Sequence, residues 1–321
     1  MTAKEHILKL FENNREKYYS GQEIAEKLNV SRTAVWKAVK QLQADGYRIK
    51  AVSNKGYCML ADNDIVSADS IKKYLKVPIE EILVYKTVTS TNDLAKQKAI
   101  NSAPEGTVIV AREQTAGRGR KGRSFYSPSS TGVYISVLLR PELTAEKTLY
   151  ITTAAAAAVA KAIEKVSGKE AQIKWVNDIF VDGKKVCGIL TEGAIDFETG
   201  KMQYAVLGIG VNIKKPESDF PSEIQNIAGS VFDTTDEEVS SKIVAEILNN
   251  FMAYYQELEN KPFYDEYKKR MFLIGKQLTV YSGKESYPAV AIDLDEELSL
   301  VVKDENGSIK KLNTGEVSIK I

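Results

Sequence analysis

Apolar residues recur at helical spacing in residues 4–13 and again in residues 21–30, which predicts two short helices. Ser31 is suited to cap a third helix, which ends at Gly46. The alternating segments YRIKAV and GYCML, joined by a turn at residues 53–55, then predict a small hairpin. Helices and a hairpin in this order are typical of a winged helix-turn-helix.

From residue 82 onward the pattern changes to apolar runs of strand length, separated by turns and a few helices. The runs ILVYKTV, TVIVAREQ, GVYISVLLR, NDIFV, KVCGILTE and YAVLGIGVNI predict strands, and an alanine-rich segment predicts a helix over residues 149–166. This mixture predicts an α+β domain dominated by a sheet. After residue 272, short alternating strands joined by glycine- and Asp/Asn-containing turns predict a small β domain.

Composition narrows the possible chemistry. The chain has 321 residues, 43% of them hydrophobic and 27% charged, which suits a globular protein of two or three domains. No apolar run has the length of a signal peptide or a spanning helix, so we expect the cytoplasm and neither export nor a membrane. Cys58 and Cys187 cannot form a disulfide framework, and the single histidine, His6, excludes catalytic triads and His-based metal sites.

Charge is unevenly distributed, although the net charge is only +1. Residues 31–60 hold six Lys and Arg against the single acid Asp45, an excess that suits a surface facing phosphates. We predict that the third helix enters a major groove of DNA and that the hairpin tip reaches a phosphate. The predicted DNA-binding residues are Gln22, Ser31, Arg32, Thr33, Lys37, Lys40 and Lys55. The alternative is a protein-interaction module with a solvated basic face. We expect the Trp36 indole to pack against the body of the protein, because an indole at such a position more often does so than contacts DNA.

Residues 114–123 (QTAGRGRKGR) interleave four cationic side chains with three glycines, just after a predicted strand. Arginine binds phosphate bidentately, and glycine allows the backbone to approach a ligand closely. A disordered nucleic-acid-binding tail has a similar composition, but this run lies between two apolar strands. It therefore predicts an ordered anion-binding loop.

Two further segments belong with this loop. Residues 174–178 (KWVND) lead into a hairpin with Lys185 at the start of the return strand, where most lysines are simply solvated. Gly188, Gly208 and Gly210 lie inside adjacent predicted strands, which suggests a ligand lying across the sheet. Residues 90–92 (STN) would serve as an ordinary helix N-cap on their own.

In this order, and behind a winged helix, the motifs STN, QTAGRGRKGR, KWVND, KVCGIL and GIGVNI resemble those of the bifunctional biotin protein ligases that also repress the biotin operon. The resemblance covers nearly the whole chain. It implies a winged helix-turn-helix, a mixed-sheet catalytic domain of the biotin/lipoate ligase type and a small SH3-like β-barrel, over residues 1–62, 68–270 and 272–321 respectively. Val176 departs from the proline usual in the family, which should relax the local backbone, and Phe125 departs from a common tryptophan, which would weaken stacking on adenine.

The resemblance also implies chemistry and site residues. Biotin and ATP would form biotinyl-5'-AMP, and biotin would pass to a lysine of a biotin carboxyl carrier protein. Arg118 and Lys185 would be catalytic. The biotin site would comprise Ser90, Thr91, Asn92, Gln114, Arg118, Gly119, Arg120 and Lys185, and the ATP site Arg118, Arg120, Arg123, Phe125, Asn177, Lys185 and Asn212.

Magnesium is expected with ATP, but the sequence offers no carboxylate cage for it; Asp178 is the acid nearest the motifs and is equally well explained as a turn residue. Operator DNA and a ligand-promoted homodimer are the other expected partners. Two rival hypotheses are a lipoate or octanoate transferase, which would lack this winged helix and GRGR loop, and a metabolite-binding repressor without ligase activity.

Overall fold

The computed structural model describes residues 2–61, 64–144, 147–196, 198–235, 238–282, 285–313 and 316–318. The chain divides into two compact units: Met1–Tyr74 with Thr234–Ala245, and Leu75–Asp233 with Glu246–Ile321. The predicted end of the DNA-binding domain, residue 62, lies outside the described residues. Along the described part of the chain, no helix has the length and apolar character needed to cross a membrane.

The first unit contains the predicted winged helix-turn-helix. Its helices are α1 (Ala3–Glu12), α2 (Gly21–Leu28) and α3 (Arg32–Ala44), followed by an antiparallel hairpin of β1 (Ile49–Val52) and β2 (Gly56–Met59). The Ser31 hydroxyl accepts a hydrogen bond from the Ala34 amide at 3.1 Å, so the predicted N-cap of α3 is confirmed. The core of the three helices consists of fully buried apolar side chains, including Ile7, Phe11, Ile24, Val35 and Leu42.

Two further segments complete the first unit: α4 (Ala68–Lys72) and the beginning of α7 (Val239–Gln256). Glu238 lies just before α7 and accepts hydrogen bonds from Arg15 at 2.6 Å, Lys73 at 3.0 Å and Tyr74 at 2.6 Å. Burial acts to raise the pKa of Glu238, but these hydrogen bonds and cations hold it below its ordinary value. The unit therefore extends beyond the winged helix through buried polar contacts.

The second unit is built on a seven-stranded sheet in the order β3-β4-β5-β9-β8-β7-β6. The strands are β3 (Ile82–Tyr85), β4 (Val108–Ala111), β5 (Gly132–Leu139), β6 (Gln172–Lys174), β7 (Asp178–Val181), β8 (Lys184–Ile195) and β9 (Met202–Asn212). Only β3 and β4 pair in parallel, and the other described pairs are antiparallel. The predicted sheet-dominated α+β domain is confirmed.

Helices of the second unit are α5 (Thr91–Ile100), α6 (Thr148–Ser167), the part of α7 from Glu246 onward, and α8 (Tyr264–Arg270). The alanine-rich segment is α6, which contacts β6, β7 and β8. Its consecutive alanines, residues 154–158, are fully buried. Small side chains let the helix lie close to the sheet, which explains this composition.

The end of the chain forms a five-stranded antiparallel sheet in the order β13-β12-β11-β10-β14. Its strands are β10 (Gln277–Ser282), β11 (Glu285–Leu294), β12 (Leu300–Asp304), β13 (Ile309–Leu312) and β14 (Glu316–Ser318). The Trp175 indole donates a hydrogen bond to the Leu298 carbonyl at 3.0 Å, which ties this sheet to the seven-stranded one. Closure of the strands into an SH3-like barrel stays a prediction.

Candidate active site and DNA-binding surface

The separate motifs converge on a cavity of about 160 Å³ on the seven-stranded sheet. It is lined by α5, the loop of residues 117–123, the β6–β7 hairpin and the middle of β8 and β9. The residues predicted for biotin and ATP line it together, except Asn212, which lines an adjoining cavity. Motifs that are far apart in the sequence therefore lie around one cavity.

The STN motif begins α5 and also lines the cavity. Ser90 caps α5 by accepting a hydrogen bond from the Asp93 amide at 3.4 Å, and it also lines the cavity. The Gln114 side-chain oxygen accepts hydrogen bonds from the Thr91 amide at 2.8 Å and from its hydroxyl at 3.1 Å. The other end of the Gln114 side-chain amide is held by Ser127, whose hydroxyl oxygen accepts a hydrogen bond from Gln114 Nε2 at 3.1 Å.

Asn92 is held from both ends of its side-chain amide. Ser136 donates a hydrogen bond to Asn92 Oδ1 at 2.6 Å, and Asn92 Nδ2 donates to Glu192 at 2.8 Å. Lys96 pairs with the other Glu192 oxygen at 2.6 Å. Burial acts to raise the pKa of Glu192, but the hydrogen bonds from Lys96 and Asn92 hold it below its ordinary value. The amide of Asn92 therefore has one orientation.

Arg118 and Arg120 extend from the glycine-rich loop to different partners. Arg118 forms ion pairs with Asp93 and, at 3.4 Å, with Glu192. Arg120 donates a hydrogen bond to Asn177 Oδ1 at 3.2 Å. The loop returns on itself, because the Gly119 amide donates to the carbonyl of residue 123 at 2.7 Å. Cations are thus held near the cavity by groups that an anionic ligand could replace.

Lys185 lies at the start of the return strand β8, as predicted, and its amine is 2.5 Å from Asp178 Oδ1. Both side chains are partly buried, with 30% and 21% exposed. The peptide bond between Trp175 and Val176 is cis. Lys185 and Asp178 line both cavities, so the pair lies where the two spaces meet.

The interior glycines line the cavity, but side chains of the site explain them directly. A Cβ at Gly188 or Gly210 would lie 3.0 or 2.5 Å from the Phe125 ring, and one at Gly208 would lie 2.3 Å from Asn92 Oδ1. These glycines make room for Phe125 and Asn92. The ligand that the sequence suggests across these strands stays a prediction.

The adjoining cavity has a volume of about 490 Å³ and an aromatic wall. Tyr126 and Phe220 meet edge to face there, with ring centroids 6.4 Å apart. Asn212 donates a hydrogen bond to the Gly229 carbonyl at 3.0 Å and lines the same space. Cys187 also lines it, and burial raises the pKa of its thiol, which favours the neutral form.

Several residues of the site escaped sequence analysis. Glu192, Ser136 and Lys96 are far from Asn92 in sequence or carry no motif of their own, and only pairing of the strands brings them together. Tyr126 directly follows the Phe125 position and could have been considered as a second ring. Phe220 lies in a polar segment that gave no signal.

The predicted DNA-binding residues are all exposed on the first unit. Gln22 donates a hydrogen bond to Glu26 at 2.7 Å, and the Lys55 amine at the hairpin tip lies 5.9 Å from the centre of the Tyr18 ring. Trp36 is 51% exposed, so the expectation that it packs against the protein is wrong. The surface combines a basic helix with a basic hairpin tip.

Within the described residues, no three His, Cys, Asp or Glu side chains come together to hold a metal ion. Asp178 is the carboxylate that lines the cavities beside the predicted ATP residues. Mg²⁺ in nucleotide sites is held by one or two carboxylates and mainly by phosphates and water. The residues present fit an ion that arrives with the nucleotide.

Fold and site together define a protein ligase with an attached DNA-binding domain. Residues 84–212 match the biotin/lipoate A/B protein ligase family, and residues 4–58 match a helix-turn-helix domain. The bifunctional ligase/repressor BirA of Bacillus subtilis is 33% identical over 99% of both chains, and its namesake from Escherichia coli is 23% identical over 94% of this chain and 93% of that one. The biotin protein ligase of Aquifex aeolicus in complex with biotin and ATP has a TM-score of 0.63 and 25% identity, and covers 75% of this chain and 99% of that one.

The chain belongs to the family of bifunctional biotin ligase/repressors. It is therefore an enzyme and a repressor, and the rival hypothesis of a repressor without ligase activity is not favoured.

Proposed function

We propose that this chain activates biotin with ATP and transfers it to a lysine of a biotin carboxyl carrier protein. A carboxylate oxygen of biotin attacks the α-phosphorus of ATP, the bond to the β-phosphate breaks, and pyrophosphate leaves. The observation that carries this proposal is the cavity in which cationic side chains from the loop and from β8 face neutral hydrogen-bonding groups of α5 and Gln114.

The first step brings two anions together, which requires fixed cations between them. Arg118, Arg120 and Lys185 fill this role, and Arg123 adds charge at the outer end of the loop. In the structure, Arg118 and Lys185 are paired with carboxylates. When the substrates bind, their carboxylate and phosphate oxygens approach the same cations, so the positive charge is available at the reacting atoms.

Neutral groups orient biotin. Ser90, Thr91, Asn92 and Gln114 supply hydroxyl and amide groups, and the backbone around Gly119 lies beside the carboxylate end of biotin. Asn92 is already held by Ser136 and Glu192, and Gln114 by Ser127, so little conformational entropy is lost when biotin binds.

The nucleotide occupies the larger, adjoining cavity. Asn212 lines this cavity and Asn177 lines the smaller cavity beside it, and both are on the side of the triphosphate and ribose. Phe125 lines both cavities and forms part of the wall for the base. Tyr126 and Phe220 offer further ring surface to the adenine, because they line the same cavity. When Mg²⁺ is bound, Asp178 would hold it, and the ion would neutralise phosphate charge.

The second step transfers biotin. The amine of a carrier-protein lysine attacks the acyl carbon of biotinyl-5'-AMP, an amide bond forms, and AMP leaves with the bonding electrons while the amine loses a proton. AMP is a good leaving group, so this step depends mainly on bringing the amine close. The expected acceptors are biotin-carrying subunits of acetyl-CoA carboxylase and related carboxylases.

The first unit binds operator DNA. One winged helix buries little DNA surface, so useful affinity needs two copies on a two-fold operator. Biotinyl-5'-AMP would order the loop of residues 117–123 and lower the entropy cost of association, so that ligand binding and homodimer formation favour each other. A repressor must reach DNA, so we expect the cytoplasm.

Pyrophosphate release tests the enzymatic proposal. The full chain with biotin, ATP and Mg²⁺ but no acceptor should release about one pyrophosphate per chain and retain the adenylate. Biotin omission is the control. No biotin-dependent pyrophosphate would contradict the proposal, whereas release without any operator binding would contradict only the regulatory half.

A further inference from the structure

Trp36 lies on the outward-facing side of α3. Thr33, Trp36, Lys37 and Lys40 follow one another at spacings of three, one and three residues, which puts them on one side of the helix. All four are exposed, whereas Val35 and its neighbours on the opposite side are buried. Trp36 is therefore the apolar member of an otherwise polar face.

The exposure of this indole contrasts with that of the chain's other tryptophan. Trp175 is 4% exposed and donates its N–H to the Leu298 carbonyl. Trp36 is 51% exposed, so about half of its surface is open to solvent. A large apolar ring left in water is a surface that a partner can desolvate.

Charge identifies the partner as DNA. Trp36 is flanked on its own face by Arg32, Lys37 and Lys40, and Lys55 is exposed at the hairpin tip. The capped N-terminus of α3 adds positive potential beside Arg32. Cations of this density match phosphates, and an apolar group between them must then meet the floor of the groove.

The major groove offers one apolar group, the C5-methyl group of thymine. We propose that the Trp36 indole contacts such a methyl group and is a specificity-determining residue of this DNA-binding domain. The proposal rests on operator binding by the first unit. The flanking cations bind phosphates and position the helix, while Trp36 distinguishes thymine from the other bases.

Thymine-to-uracil substitution tests the contact, because it removes only the methyl group. The full chain, with biotin and ATP, first selects duplexes from a random pool. Each thymine of the selected duplex is then replaced by uracil, and affinities are measured for the parent, Trp36→Ala, Trp36→Phe and Lys37→Ala. Adenylate formation and melting temperature report whether each variant is folded.

The parent should lose about tenfold in affinity when uracil replaces thymine at one position in each half-site. Trp36→Ala should bind the thymine duplex about tenfold more weakly and be insensitive to that replacement, and Trp36→Phe should keep part of the sensitivity. Lys37→Ala should weaken binding to both duplexes alike and reduce its salt dependence.

Quenching by acrylamide gives an independent measurement, because Trp36 is the exposed tryptophan and Trp175 the buried one. Saturating operator should protect the emission from the quencher. Undiminished quenching, or a Trp36→Ala variant that still loses affinity on uracil substitution as the parent does, would overturn the inference. Failure of the parent to enrich any duplex would contradict DNA binding itself and the inference with it.

Discussion

Replacement of Lys185 by alanine should nearly abolish adenylate formation and leave the fold intact. The amine is 2.5 Å from Asp178 and lines both cavities, so its loss removes a fixed cation from the junction where carboxylate and phosphate meet. It also leaves the Asp178 carboxylate facing those anions without its partner. Both effects oppose the same step.

The expected loss can be worked from these contacts. Removing one fixed group that stabilises charge in a transition state typically costs about 10²- to 10³-fold, or roughly 2.7–4 kcal/mol. The uncovered Asp178 charge adds repulsion of about 1–4 kcal/mol at 4 Å, depending on the local dielectric constant. We therefore expect the rate of adenylate formation to fall by about 10³-fold, the upper end of the range for a single group. Because the pair is partly exposed, its contribution to stability should be about 0–1 kcal/mol.

Single-turnover formation of biotinyl-5'-AMP is the appropriate assay, with Lys184→Ala as the matched control. Lys184 is the preceding residue of β8, but its amine donates to the Asn226 carbonyl at 2.6 Å, outside both cavities. The control should react at the parent rate. A Lys185→Ala variant that reacts within about threefold of the parent rate would refute the role of Lys185 as a fixed cation beside the reacting phosphate.

Three further predictions follow from other contacts. Glu192→Gln should raise the KM for biotin about tenfold, because Asn92 loses a hydrogen bond to a charged acceptor, and should leave the KM for ATP nearly unchanged. Equal changes in the two KM values would contradict this prediction. Deleting residues 1–62 should abolish DNA binding in a gel-shift assay while adenylate formation continues; loss of both would mean that the catalytic domain depends on the first unit. Burial raises the pKa of the Glu12 carboxyl, so the folded state binds its proton more tightly than the unfolded state does. The neutral carboxyl therefore stabilises the fold at low pH, and this stability is lost as the pH rises from about 4 through the pKa of the folded state. Denaturant unfolding of Glu12→Gln should show a weaker fall in stability over that interval, and an unchanged pH dependence would rule out this cause.

Local pattern was sufficient for most of the fold. The alanine-rich helix predicted at residues 149–166 is Thr148–Ser167, and the helix predicted to follow Ser31 is Arg32–Ala44. Periodicity, caps and turn residues act over a few positions, so the sequence displays them directly. Association of residues 234–245 with the first unit has no local signal, because it depends on Glu238 meeting Arg15.

The sequence predicted the motif residues of the candidate site but not the residues that hold their side chains in place. Motif residues such as Asn92 and Lys185 were found because several motifs recur in a known order. Glu192 is 100 residues from Asn92, and only the packing of α5 on the sheet makes them neighbours. Trp36 was misjudged because a helical pattern states which face is apolar but not whether one exception on the polar face is covered.

Transfer of biotin to a carrier domain is the measurement that tests the central claim most directly. The full chain, biotin, ATP and Mg²⁺ are incubated with a biotin carboxyl carrier domain, and the products are analysed by mass spectrometry. One biotinyl group should appear on one lysine, with one pyrophosphate released per transfer, and neither should form without biotin or ATP. An unmodified carrier domain together with no biotin-dependent pyrophosphate would contradict the account.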